Sequence, residues 1–208
     1  MKKIFTTLLV LTGIYTASHA QNKGQVAFGA SVGVNGSYAI SNAKYASGTD
    51  TRLDPSFSLQ GEYFVDDHWS LKAEAIYNPK GWGNGIYDDG TKQVINVNYN
   101  INYITVPVLV TWHIGVEKLW FVNFGPYISF LTSASNDYDH ADLKSAYKST
   151  EEGAHLGLGI QFPLSLKNDR TKIFFEYGWE IGASNVLANS ADGGATLMRH
   201  GLGAGIRF

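Results

Sequence analysis

The chain has 208 residues, a formal net charge of −2, no cysteine, and 16% charged residues against 44% hydrophobic and 13% aromatic ones. The near-neutral charge argues against a protein whose affinity rests on neutralising nucleic-acid phosphates, and without cysteine no disulfide can contribute to stability. Scarce charge, many rings and 23 glycines make a β-rich profile.

Residues 1–20 have the layout of an export signal. Lys2 and Lys3 precede an apolar run, Ile4 to Ile14, with Leu8, Leu9, Val10 and Leu11 at its centre, and Ser18-His19-Ala20 fits a small-x-small cleavage site. Cleavage after Ala20 is expected, giving a single mature domain, 21–208, that begins at Gln21; a lipoprotein would need cysteine there. The run is shorter than the roughly 20 residues of a spanning helix, and no other run reaches that length.

From Val26 onward the hydrophobic period is 2, over eight segments of the length a tilted strand needs to cross a bilayer. The first alternates Val26, Phe28, Ala30, Val32 and Val34 with Ala27, Gly29, Ser31, Gly33 and Asn35. The second sets Phe57, Leu59, Gly61, Tyr63 and Val65 against Ser58, Gln60 and Glu62. After an Asp66-Asp67-His68 turn, the third sets Trp69, Leu71, Ala73, Ala75 and Tyr77 against Ser70, Lys72, Glu74 and Asn78. The fourth, Val97 to Ile114, changes phase. Val97, Tyr99, Ile101 and Tyr103 are odd, whereas Ile104, Val106, Val108, Val110, Trp112 and Ile114 are even, which predicts a β-bulge near Tyr103 with Pro107 tolerated beside it.

Gly115 to Lys118 turn the chain into the fifth segment, where Trp120, Val122, Phe124, Ile128 and Phe130 share a face. The sixth opposes Ala154, Leu156, Leu158, Ile160 and Phe162 to Gly153, His155, Gly157, Gly159 and Gln161. A polar turn, Lys167 to Thr171, leads to the seventh, with Ile173, Phe175, Tyr177, Trp179 and Ile181 opposing Lys172, Phe174, Glu176, Gly178 and Glu180. The eighth opposes His200, Leu202, Ala204, Ile206 and Phe208 to Gly201, Gly203, Gly205 and Arg207. Connections after segments two, four and six are short; those at about 36–55, 81–96, 133–152 and 184–196 are long and polar. The expected fold is all-β, an eight-stranded antiparallel up-and-down transmembrane β-barrel with four long extracellular loops and both termini in the periplasm.

Alternation alone also fits a soluble lipocalin-like barrel or a sandwich. The rings favour the membrane: Trp69, Trp112, Trp120, Phe162, Phe175 and Phe208 fall on apolar faces near the short turns, where an interfacial girdle belongs. Eight strands leave an interior that side chains fill. Its expected occupants are Glu62, Lys72, Glu74, Lys172, Glu176, Glu180 and Arg207, a network of both signs, with inward glycines leaving room and no large pore.

The stretch YITVPVLVTWHIG (Tyr103 onward) followed by LWFVNFGPYISFLTSA resembles the PorT-type family of small bacterial outer-membrane barrels. The matching residues are Tyr103, Ile104, Val106 and Pro107, then Gly125, Pro126 and Tyr127. The resemblance implies the barrel fold and a cell-envelope role, with a part in secretion for founding members; it implies no catalytic residue.

Chemistry beyond the fold is sparse. Asn136 to Asp142 gathers Asp137, Asp139, Asp142 and His140, but the calcium-loop pattern fails at Ala141 and Lys148, so a solvated loop is expected. Ser31 and His155 both face the lumen without an identifiable acidic orienter. Gly81 to Gly85 reads as a flexible loop around an interfacial Trp82, and Gly193-Gly194 as turn chemistry. The expected protein is non-enzymatic and monomeric, with no cofactor or metal. Its expected partners are outer-membrane lipid, the barrel-assembly machinery through the strand ending at Phe208, and a secretion-system or surface partner. A lipid-active barrel enzyme is the alternative.

Overall fold

The computed structural model describes residues 23–41, 50–88, 94–165, 168–189 and 193–208; the expected export signal lies outside the described residues. Among the described residues nine strands form one antiparallel sheet: β1 (Val26–Ser41), β2 (Arg52–Phe64), β3 (Trp69–Pro79), β4 (Trp82–Asp88), β5 (Val94–Ile114), β6 (Trp120–Asn136), β7 (Thr150–Ser165), β8 (Asn168–Gly182) and β9 (Ala195–Arg207). β3 and β4 both pair with β5, and the Lys80 N–H donates to the Ile101 carbonyl at 2.8 Å between them, so the two make one stave. The sheet therefore has eight staves. β9 pairs with β1 from Ser41–Ala195 to Gly29–Arg207 and closes it, while at the long-loop end β4 meets the segment before β2 through the isolated Asp50–Gly83 bridge.

Closure satisfies the backbone within the ladder, the condition for crossing lipid with strands. The side chains are distributed inside out relative to a soluble barrel. Phe57, Leu59, Val108, Trp120, Phe124, Leu202 and their neighbours are exposed on the outer wall, while Glu62, Lys72, Glu180 and Arg207 are buried within. Tyr77, Ile104 and Phe130 pair in register across β3, β5 and β6 and mark one edge of the apolar wall. From Ile104 to Ile114, with a rise of ~3.3 Å per residue and a tilt near 40°, the wall is about 25 Å tall, the height of a lipid-facing band.

Beyond that edge the strands continue and their pattern reverses. On β5, Asn96, Asn98, Asn100 and Asn102 face out, while Val97, Tyr99, Ile101 and Tyr103 are buried inside. The odd residues of β5 point inward from Val97 to His113, so β5 keeps one phase and the bulge expected in it is absent. The register shift lies across from Tyr103, in β6: Asn102 pairs with Ser133 and Tyr103 with Leu131, leaving Thr132 as the extra residue. What changes at Tyr103 is the surroundings. Below it lipid demands apolar residues outside; above it water demands them inside.

The same reversal explains why strands run into segments expected as loops. β1 reaches Ser41, β4 and the start of β5 occupy most of 81–96, β6 reaches Asn136, and β9 begins at Ala195. Most of the expected Lys167–Thr171 turn likewise belongs to β8, which begins at Asn168. The short turns at the other end form as expected. The Asp66 carboxylate accepts from the His68 and Trp69 N–H groups at 2.7 and 2.8 Å, which holds its pKa below the usual carboxylate range, and Gly115 takes φ 85°.

Candidate functional site

The barrel interior is filled in layers. Nearest the short turns, Arg207 binds both Glu62 and Gln161, and Glu62 accepts from Ser70 and contacts His113 Nε2 at 2.9 Å. Next, Lys72 Nζ lies 2.6 Å from Glu74 and 3.1 Å from Glu176, while Asn123 donates to Glu176 at 2.8 Å. In the third layer Lys80 Nζ bridges Glu151 at 2.7 Å and Glu180 at 2.8 Å; Arg199 and Asn78 each donate to Glu180 at 2.8 Å, and Tyr127 donates to Glu151 at 2.8 Å. Most of these contacts, such as Arg207–Glu62, Lys72–Glu176, Lys80–Glu151 and Asn78–Glu180, join strands far apart in sequence, so the layers cross-brace the barrel.

All seven residues expected in the lumen lie on the inner wall, and six are buried, with the Glu176 side chain 13% exposed. Lys80, Glu151, Arg199 and His113 join them. They were legible by extending period 2: Lys80 follows Asn78, Glu151 precedes Gly153, and Arg199 precedes Gly201 in inward phase. Among the described residues the inner wall carries five cations (Lys72, Lys80, Lys172, Arg199, Arg207) and five carboxylates (Glu62, Glu74, Glu151, Glu176, Glu180), so the interior is balanced. The inward glycines make room for rings and for polar side chains: a Cβ at Gly159 would stand 2.1 Å from Phe121, one at Gly205 2.4 Å from Phe174, one at Gly157 2.5 Å from Glu176 and one at Gly201 2.6 Å from Asn35. A lumen cavity beside His155, Glu74 and Glu176 measures about 50 Å³, enough for a few waters.

Above the third layer sits an apolar cap. Trp82 is buried against Tyr99 (ring centroids 5.1 Å) and Tyr147 (6.1 Å), with Ile101, Tyr103, Ala134, Val186 and Leu197 around it. Trp82 is therefore part of a core, contrary to the expected flexible loop with an interfacial ring. Gly81 lets β4 hug β5 there, since a Cβ would fall 1.9 Å from the Tyr99 carbonyl. Tyr147 arrives from the connection after β6, whose Lys148 N–H donates to the Val186 carbonyl at 2.8 Å; burial pushes its phenol up.

The six ring positions expected in a girdle are all exposed on the outer wall, and Trp69 stacks on Trp112 at 5.9 Å and 15°. The Asn136–Asp142 carboxylates serve backbone: Asp139 accepts from Ala141 N–H and Asp142 from Lys144 N–H, while Asp137 accepts from the backbone and side chain of Asn98 at 2.9 and 2.7 Å. Ser31 and His155 line the same small cavity, but Ser31 is bonded to Ser58 at 2.8 Å, and His155 lies 3.7 Å from Glu176 and 3.9 Å from Glu180. Gly193 takes φ 95°, a turn conformation.

One open cavity, about 650 Å³, lies at the long-loop end between the start of β2 and the β4–β5 pair. Asp50, Arg52, Asn84, Asn96, Asn98 and Asn100 line it. Sequence reasoning missed it because it joins residues from three segments taken to be separate loops with the start of the fourth strand.

Residues 19–188 match the family described as outer membrane protein beta-barrel domain. The chain belongs to that family. Among solved structures it is similar to the outer membrane protein OprG from Pseudomonas aeruginosa, with a TM-score of 0.58 and 12% identity over 91% of this chain and 99% of that one. It is also similar to Neisserial surface protein A, with a TM-score of 0.52 and 13% identity over 87% of this chain and 97% of that one. At such identities the likeness concerns the fold. A search of curated proteins finds no match.

Proposed function

We propose that this outer-membrane barrel is a non-enzymatic, monomeric surface protein, closed to solute flow, whose long-loop end faces the cell exterior and binds. The observation that carries the reading is the continuous filling of the lumen, from the Arg207–Glu62 layer through Lys72 and Lys80 to the Trp82 cap. A permeation path would have to break buried ion pairs at each layer, and leaving one charge unpaired costs about 3–5 kcal/mol. The stacked Trp69–Trp112 pair supports a girdle at the short-turn interface, with outer-membrane lipid as the first partner.

The finer assignment follows the sequence: cleavage after Ala20, both termini in the periplasm, and a PorT-type member whose surface serves adhesion, stability or a secretion apparatus. The Gly125-Pro126-Tyr127 core has a structural use that supports it. Tyr127 anchors Glu151 and underlies Lys80 at 4.3 Å, and a Cβ at Gly125 would fall 2.2 Å from the Val108 carbonyl of β5. In planar bilayers the purified protein is expected to give no steady porin-like conductance; a stable open level would contradict the reading. Crosslinking in native outer membranes separates the versions: a stoichiometric secretion component supports the accessory role, and none favours a surface role.

A further inference from the structure

We infer that the 650 Å³ cleft between β2 and the β4–β5 pair is a saccharide site, and that its occupant is the sugar head of a glycolipid in the outer leaflet beside the barrel. This rests on the reading that the long-loop end faces the exterior.

The lining defines the chemistry. Asn96, Asn98 and Asn100 present amides from alternate positions on the outer face of β5, and Asn84 adds a fourth from a bulge in β4, at φ 55°. Asp50 and Asp137 supply carboxylates. Side-by-side amides and carboxylates offer paired donors and acceptors, the complement of vicinal sugar hydroxyls. The cation in the lining, Arg52, is engaged: its Nη2 and Nε lie 2.9 and 2.8 Å from Asp54, and Nη1 donates to Asn100. A phosphate or acidic peptide would find two carboxylates and a committed guanidinium. An apolar ligand would find Val97 as the sole large aliphatic side chain in the lining, and that residue is buried. The volume lies within the roughly 300–1,000 Å³ of small-ligand sites.

The height selects the source. Counting from Ile104 at the edge of the apolar wall, Asn100, Asn98 and Asn96 stand about 10, 15 and 20 Å above the hydrocarbon, at ~2.5 Å of height per residue of a tilted strand. The headgroup layer of an ordinary bilayer adds only about 5–8 Å on each side. A phospholipid head stops short of the cleft. A lipid with an extended saccharide head reaches it, and because the amides face outward from the wall, it reaches them laterally. The exposed Asn84 and Asn96 remain available, while Asn98 is held in place by Asp137 at 2.7 Å.

The test uses the full-length protein in phospholipid nanodiscs doped with a short-core lipopolysaccharide. Wild type is compared with Asn84→Gly/Asn96→Ala, which removes two exposed amides and tolerates the positive φ; with Asn96→Trp, which fills the cleft; and with Glu117→Ala at the opposite end. Heat-modifiable migration verifies folding of each. Native mass spectrometry is expected to find one glycolipid retained by wild type and Glu117→Ala, and at least tenfold less on both cleft variants. Equal retention by all four proteins would overturn the inference. So would free oligosaccharide, released from the same lipid, binding as tightly as the intact glycolipid, because the occupant would then be a soluble glycan. A protein that conducts no ions yet retains no glycolipid sinks the cleft alone; one that conducts sinks the closed-barrel reading.

Discussion

Lys80 is the residue on which the interior is most dependent. Its ammonium is 1% exposed, lies within 2.8 Å of two carboxylates, and faces the Tyr127 ring at 4.3 Å. Removing it leaves Glu151 with the Tyr127 hydroxyl and no cation, and Glu180 with Arg199 and the Asn78 amide. Lys80→Met is therefore expected to cost about 3–5 kcal/mol in urea unfolding from lipid vesicles. By contrast Lys118→Ala, at the half-open 3.9 Å pair with the exposed Asp67, should change stability by less than about 1 kcal/mol. At the turn between β2 and β3, Asp66 is held by two backbone N–H groups, so its folded pKa lies below the unfolded value near 3.8. The sign follows: its contribution is present above the unfolded value and disappears as pH falls through the lowered one. Amide protection at His68 and Trp69, taken relative to the intrinsic exchange rate at each pH, should fall in that acid window in wild type and should be low at all pH values in Asp66→Ala. The seven charges read from the sequence as inward lie on the inner wall, six of them buried, whereas the sequence reading is silent on Lys80, Glu151 and Arg199. Lys80 stands between Pro79 and Gly81 and Glu151 between Thr150 and Glu152, so no apolar neighbours mark them as strand, and Arg199 falls one residue before the eighth segment as read from His200.

At the scale of elements, β5 shows what periodicity can and cannot report. Its apolar residues shift from odd to even at Tyr103, and the economical reading of a shift is an inserted residue. The strand is instead uniform, and the solvent around it changes from water to lipid. The true insertion, Thr132 in β6, gives no hydrophobic signal because it falls among Ser133, Ser135 and other polar residues. Its hydroxyl donates to the Asn102 carbonyl at 2.9 Å, which fastens the bulge to β5. Strand pairs also depend on matched volumes. Phe121 faces Gly159 across β6–β7, and Gly159→Ala would press a methyl into the ring, at an expected cost of about 1–3 kcal/mol. A double-mutant cycle with Phe121→Ala should recover much of that loss; additive effects of the two changes would mean the ring is not what excludes a side chain at 159.

Across the whole molecule the barrel is two solvation regimes on one ladder. The lower part is inverted, with lipid-facing rings and aliphatics outside and ten balanced charges inside; the upper part is ordinary, with an aromatic cap inside and an amide ladder outside. The membrane half was legible because lipid imposes a strict rule on every second residue, and eight such segments with alternating short and long connections suffice for the topology. The upper half was hidden because its strands obey the soluble rule in the opposite phase and its cap draws Trp82, Tyr99, Tyr147 and Leu197 from four separate stretches. The cleft shares that origin.

The most direct test of this two-regime account is a cysteine scan of β5. The natural chain has no cysteine, so each variant from residue 96 to 114 carries a single thiol. Spin-labelled in lipid vesicles, the even positions 104 to 114 should be accessible to oxygen and shielded from a water-soluble nickel complex. Positions 96 to 102 should show the reverse at even numbers, and odd positions throughout should show restricted access to both. A reversal of the odd and even pattern at Tyr103, or water access at odd positions through the lipid band, would contradict the account.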